Sequence, residues 1–142
     1  MAGDLTANSS VVINAEPAAV WAALTEPELV SKAFFGAQVE SDWQEGSPIT
    51  FRGEWEGKPF EDKGRIVRIV PNSLLEYTHW SPLSGVADDP ENYHGVTFRL
   101  TPREGGTELS LSQSNVTDEA EREHSERNWS MMLDNVKRLV EQ

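Results

Sequence analysis

The fold of this 142-residue chain is decided by the segment Trp129-Ser130-Met131-Met132-Leu133-Asp134-Asn135-Val136-Lys137-Arg138-Leu139-Val140. At about 100° per residue its apolar side chains fall on one arc, which is the stripe of a helix that packs against another layer. These side chains are Trp129, Met132, Leu133, Val136, Leu139 and Val140. The helix is predicted to begin at Thr117 as N-cap and, at ~1.5 Å per residue, to span on the order of 35 Å.

The first half of the predicted helix is polar on the same arc, which meets Asp118, Glu121, Arg122 and Ser125 when it is continued backwards. Two interpretations are open. These turns either extend beyond the sheet into solvent or cover the mouth of a wet cavity. In the second case the polar half and the loop over residues 81–91 would form the entrance.

The rest of the chain is mostly strands and turns. Apolar and polar residues alternate as in half-buried strands, and the turns between the later strands are short, which favours antiparallel pairing. Strands are predicted over residues 10–14, 37–42, 49–55, 60–70, 74–80, 92–101 and 107–114, and short helices over 17–24 and 27–33. This order predicts an α+β domain at residues 8–142, with a curved antiparallel sheet of six to seven strands wrapped around the long helix and a flexible tail at residues 1–7.

Composition excludes several classes of function. Twelve basic and 24 acidic residues give a net charge of −12, which argues against nucleic acid and membrane surfaces as partners. The chain has no cysteine, so disulfides and thiolate chemistry are excluded. No secretory signal and no membrane-spanning run is visible, so a cytoplasmic protein is expected. Without a phosphate loop or dinucleotide fingerprint, no cofactor is expected.

Several local sequences, taken in order, resemble the START-like or SRPBCC superfamily, whose helix-grip fold is shared with the birch-pollen allergen. Within it the chain is similar to the family named for the heat-shock protein 90 ATPase activator. The matching pieces are Val11 to Leu24, Thr25 to Leu29, Gly64 to Pro71, Leu75 with Tyr77, Val96 to Pro102, Gly106 to Leu109 and Trp129 to Leu139. The resemblance covers nearly the whole chain and implies a helix-grip fold.

Two departures from the family pattern affect the expected cavity. Phe34 and Phe35 stand where family members often carry a tryptophan, and His79 stands where the next inward residue after Tyr77 is usually tryptophan. Trp80 is thereby displaced onto the other face of its strand. The namesake co-chaperones also carry a separate N-terminal domain for which 142 residues leave no room, so their activity is not expected to follow from the fold.

Strand parity predicts which side chains face the helix, because alternate residues of a strand point to the same side. A sheet that curls around one helix often leaves a gap, and a gap lined by aromatics with a few polar groups suits a small apolar ligand. The candidate ligand-binding residues are Phe51, Trp55, Tyr77, His79, His94, Phe98, Gln113, Ser125, Trp129 and Met132. The alternative interpretation is that they are ordinary core residues with polar ends at the edge of the core.

Three functions are compatible with these patterns. The first is binding of a small hydrophobic or amphipathic molecule in an internal cavity, without chemical change. The second is a cavity enzyme of the cyclase or hydrolase type that uses His79 and His94, paired with each other or with Tyr77. The third is a co-chaperone-like module that binds a chaperone through its acidic surface. The chain is expected to be a monomer or weak dimer, and two histidines without an acidic residue of matching parity fall short of a metal site.

Overall fold

A computed structural model describes residues 4–34, 36–55, 57–82 and 85–141, without the side chain of Trp55. The elements are β1 (Leu5–Ile13), α1 (Pro17–Thr25), α2 (Pro27–Ala33), β2 (Gln38–Ser41), β3 (Pro48–Trp55), β4 (Lys58–Val70), β5 (Leu74–His79), β6 (His94–Arg103), β7 (Gly106–Val116) and α3 (Glu119–Val140). The strands form one curved antiparallel sheet in the order β1-β7-β6-β5-β4-β3-β2. The predicted α+β helix-grip architecture is therefore confirmed.

Strand β1 is longer than the sequence predicted. It begins at Leu5 rather than at Ser10, and Ala7 is fully buried opposite Gln113 of β7. Leu5, Thr6 and Ala7 therefore belong to the sheet and not to a tail. The segment has no aromatic residue, and Thr6 is its only β-branched one, so its pairing with β7 supplies what local propensity does not.

The long helix α3 packs its apolar stripe against the concave face of the sheet, as the arc predicted. Met132, Leu133 and Val136 are buried at this contact. The inward residues of the central strands form the other side of the same core. They include Ile49, Leu75, Val96, Leu100, Leu109 and Leu111. None of the helices in the described part of the chain combines the length and apolarity that a membrane-spanning segment needs.

The N-cap of α3 is Asp118 and not Thr117. The Asp118 carboxylate accepts a hydrogen bond from the backbone N–H of Glu121 at 2.8 Å. The Glu121 carboxylate reaches back and accepts from the backbone N–H of Thr117 at 2.9 Å. This exchange resembles a capping box and satisfies two N–H groups that lack partners within the helix.

Gly64 allows β4 to lie close against β5. A Cβ atom at this position would lie 1.6 Å from the carbonyl oxygen of Thr78, so only glycine fits without a backbone shift. Pairing of Lys63 with Trp80 extends the contact beyond the regular ladder. The close approach keeps the N-terminal half of β4, with Phe60 and Asp62, next to the inward side chains at the end of β5.

Candidate functional site

A pocket of about 280 Å³ opens between the concave face of the sheet and the first half of α3. Most of its lining is apolar, and a few polar side chains interrupt it. The lining residues are Phe34, Ala37, Phe51, Phe60, Asp62, Tyr77, His79, Gln113, Ser125, Asn128, Trp129 and Met132. At ~30 Å³ per water molecule the space corresponds to roughly nine waters, which is room for a small organic molecule.

The structure brings seven of the ten sequence-predicted residues together at this pocket. They are Phe51, Tyr77, His79, Gln113, Ser125, Trp129 and Met132. Phe98 is buried behind the wall, where its ring contacts the rings of Tyr77 and Trp129. The side chain of Trp55 lies outside the described part of the chain. The tenth residue, His94, is not a lining residue.

A row of five aromatic rings runs along the pocket, and all of them except Phe98 line it. Phe34 stacks on Phe51 with centroids 6.0 Å apart, and Phe51 lies 5.7 Å from the Tyr77 ring. The row continues through Phe98 to Trp129, whose rings meet edge to face at 6.1 Å. These separations lie in the range in which aromatic pairs attract beyond simple burial. The row therefore supplies a preformed apolar surface.

One hydrogen bond ties the helix to the sheet across the pocket. The indole Nε1 of Trp129 donates to Oε1 of Gln113 at 2.5 Å, and Gln113 is almost fully buried. A buried amide needs such a partner, because an unpaired polar group in an apolar site costs about 1–3 kcal/mol. The bond fixes the orientation of the Trp129 ring at the wall.

Asp62 forms the polar end of the pocket with His79. Its Oδ2 lies 2.9 Å from His79 Nε2, and the side chains of Asp62 and His79 are only 15% and 24% exposed. Asp62 pairs with Phe51 in the β3–β4 register, so both side chains lie on the inner face. The expectation of no acidic residue of matching parity near the histidines was therefore wrong.

Tyr77 lies next to this pair and brings a hydroxyl group to the polar end of the pocket. Burial raises the pKa of Tyr77 well above its ordinary value, and the charge of Asp62 raises it further. Tyr77 therefore remains protonated throughout the physiological range and is available as a hydrogen-bond donor.

His79 and His94 are hydrogen-bonded to other partners and not to each other. Their backbones are paired between β5 and β6, but Nδ1 of His94 is bonded to the carbonyl oxygen of Ser114 at 2.9 Å, and His79 is bonded to Asp62. The predicted His79–His94 pair is thus not assembled at the pocket. No three His, Asp or Glu side chains in the described ranges gather in a way that could hold a metal ion.

One part of the predicted entrance lies at the pocket, and the other part does not. Ser125 and Asn128 of the polar half of α3 line the pocket, as expected for a wet mouth. The loop after β5 instead folds over the outer face of the sheet, where Asp88 forms an ion pair with Lys63. Trp80 packs on that outer face against Tyr93, which agrees with its predicted displacement. No described residue of the loop lines the inner pocket; residues 83 and 84 and Phe35 lie outside the described part.

Five lining residues were not among the ten candidates, and of these only Phe34 had been connected with the cavity. They are Phe34, Ala37, Phe60, Asp62 and Asn128. Three of them, Phe60, Asp62 and Asn128, carried a usable signal. Phe60, Asp62 and Ile66 share one parity in β4, and buried Ile66 identifies that parity as inward. Asn128 and Ser125 are three residues apart on one helix, a spacing that places them on the same face.

A curved antiparallel sheet closed over a long C-terminal helix, with a pocket between them, defines a helix-grip protein. The sequence matches the family described as Activator of Hsp90 ATPase homolog 1-like protein over residues 14–141, and the chain belongs to this family. No protein with curated annotation matches it.

Solved structures agree with this assignment. The chain is similar to the solution structure of ChR145 from Cytophaga hutchinsonii, with 48% identity and a TM-score of 0.85 over 99% of this chain and 97% of that one. It shares the fold of CV1439 from Chromobacterium violaceum, with 24% identity and a TM-score of 0.78 over 96% and 97% of the two chains. The Aha1 dimer from Colwellia psychrerythraea gives 20% identity and a TM-score of 0.76 over 96% of each chain.

Proposed function

We propose that this protein binds a small hydrophobic or amphipathic molecule in the pocket between the sheet and α3. The observation that carries the proposal is the lining itself, in which a row of aromatic rings lies beside the polar groups of Asp62, His79 and Tyr77. Apolar walls with a few convergent polar groups are the common form of small-molecule sites. Membership of the Activator of Hsp90 ATPase homolog 1-like family supports the same function, because proteins of this fold commonly bind ligands in such a cavity.

The two alternatives have less support. A catalytic His79–His94 pair would require both rings at one substrate, whereas His94 is bonded to the Ser114 carbonyl away from the lining. The co-chaperone-like alternative has only the family name and the net charge of −12 in its favour. The pocket therefore carries the proposal. A monomer or weak dimer remains our expectation for the chain, and a dimer is described for the Colwellia relative.

A pocket-filling variant tests the proposal. A panel of fatty acids, steroids and flavonoids should change the indole fluorescence of the native protein, because Trp129 lies in the wall. Ser125→Phe should abolish the binding of each ligand found, since the new ring occupies the space between α3 and the sheet. Ser130→Phe is the matched control, because Ser130 is exposed and does not line the pocket. A silent panel, or ligands that bind Ser125→Phe and native protein equally, would contradict the proposal.

A further inference from the structure

The polar end of the pocket contains two hydrogen-bonding groups that the fold does not use. No described residue is hydrogen-bonded to the Tyr77 hydroxyl or to Nδ1 of His79, although both residues line the pocket. Within the described part of the chain, the side-chain atoms that are sealed from solvent without a partner are Asp62 Oδ1 and Arg122 Nε. The Tyr77 hydroxyl and His79 Nδ1 have no described partner and are not among these sealed atoms. Both are therefore accessible to a molecule in the pocket.

Asp62 determines what His79 can offer. A carboxylate only accepts hydrogen bonds, so the contact between Asp62 Oδ2 and His79 Nε2 places the ring proton on Nε2. In the neutral imidazole this leaves the lone pair on Nδ1, which then accepts a hydrogen bond. Asp62 thus acts as a positioning residue for the acceptor.

Tyr77 supplies the hydrogen-bond donor that complements this acceptor. Its hydroxyl remains protonated in this buried site beside a carboxylate, so it can donate. Tyr77 and His79 are two residues apart on β5 and lie on one face of the strand. A donor and an acceptor thus stand side by side at the end of an apolar surface.

We propose that this end of the pocket selects neutral ligands with a hydroxyl group on an aromatic or alicyclic body. The hydroxyl oxygen accepts from Tyr77, and its hydrogen is donated to His79 Nδ1. Carboxylates are disfavoured, because Asp62 brings a negative charge to the same end and the chain carries a net charge of −12. This inference rests on the proposed function and specifies the class of ligand.

Three probes with one naphthalene body test the selection by calorimetry. 2-Naphthol can donate and accept, 2-methoxynaphthalene can only accept, and 2-naphthoate is an anion. The native protein should bind 2-naphthol about five- to tenfold more tightly than 2-methoxynaphthalene, which is the usual effect of one hydrogen bond. 2-Naphthoate should bind most weakly. This comparison needs no substitution and so is independent of any effect on folding.

Variants then assign the two bonds. His79→Leu should weaken 2-naphthol alone, whereas Tyr77→Phe should weaken both neutral probes by a similar factor. His94→Leu is the matched control and should change none of them, because His94 does not line the pocket. Equal affinity of native protein for the two neutral probes, or tightest binding of 2-naphthoate, would overturn the inference and leave the pocket as a binding site. Failure of all three probes to bind would count against the inference and the proposed function together.

Discussion

Asp62 stands in the acidic and basic stretch Glu61-Asp62-Lys63, whose composition is that of a solvated turn. In the folded protein Asp62 is not solvated in this way. It pairs with Phe51 across the β3–β4 ladder, so its side chain points inward and contacts His79. The inward positions of Phe51, Tyr77 and Gln113 were predictable, since apolar residues on alternate positions mark the buried face. A polar residue at such a position adds nothing to that pattern. The parity that Asp62 shares with Phe60 and Ile66 indicates the inner face, but its contact with His79 follows only once the pairing of the strands is known.

Tyr77 leads to a prediction about alkaline pH. Its pKa is raised in the folded protein, first by burial and then by the charge of Asp62, above the ordinary value of about 10 that it regains on unfolding. Above that pH the unfolded chain loses a proton that the folded chain keeps, so the free energy of unfolding falls as pH rises. Tyr77→Phe should remove this contribution and lose less stability than native protein between neutral and strongly alkaline pH. Urea denaturation at several pH values measures it, and parallel losses in the two proteins would contradict it.

At the scale of elements, the amphipathic arc predicted α3 and the identity of its buried residues. Met132, Leu133 and Val136 are on the arc and in the core. The arc does not determine where the helix begins, because Thr117 and Asp118 are both good N-cap residues. The choice depends on backbone conformation: Asp118 is extended, and its carboxylate reaches the N–H of Glu121.

The N-cap can be tested with adjacent substitutions. Asp118→Ala removes the acceptor for the Glu121 N–H and should reduce the free energy of unfolding by ~1 kcal/mol, within the range of about 0.5–2 for N-cap residues. Thr117→Ala should have a much smaller effect, because Thr117 is exposed and contributes only its backbone N–H to the cap. Chemical denaturation of the two variants makes the comparison. A larger loss for Thr117→Ala would show that the cap is assigned to the wrong residue.

At the scale of the whole molecule, the class of fold was predictable and the position of the first strand was not. Short turns indicate the β3–β4, β4–β5 and β6–β7 hairpins, because their partners are adjacent in sequence. Strand β1 instead pairs with β7 at the other end of the chain, and no local pattern encodes that contact. The predicted position of the pocket entrance failed for the same reason, because it depends on a contact between separate segments of the chain. The loop after β5 turns to the outer face through the contact of Asp88 with Lys63.

The outer edge of β1 is closed by side chains of α3. Glu126 accepts from the backbone N–H of Asn8 at 2.9 Å, and Lys137 donates to the carbonyl oxygen of Val12 at 2.9 Å. Glu141 accepts from the N–H of Asn14 at 2.7 Å, and this bond lowers the pKa of Glu141. Free N–H and C=O groups on an edge strand are a template for pairing with another chain. The polar side of α3 therefore covers part of this edge, and we expect this cover to keep the edge from associating.

Opening that edge should cause self-association. The double substitution Glu126→Ala with Lys137→Ala frees two backbone groups of β1, and the apparent molecular mass in sedimentation should then rise with protein concentration. Glu123→Ala with Arg127→Ala is the matched control. It removes the same two charges from exposed positions of α3 that are not bonded to β1 in the described structure. If both double variants sediment as native protein does, the side chains of α3 do not protect the edge, and another feature such as the curvature of the sheet must do so.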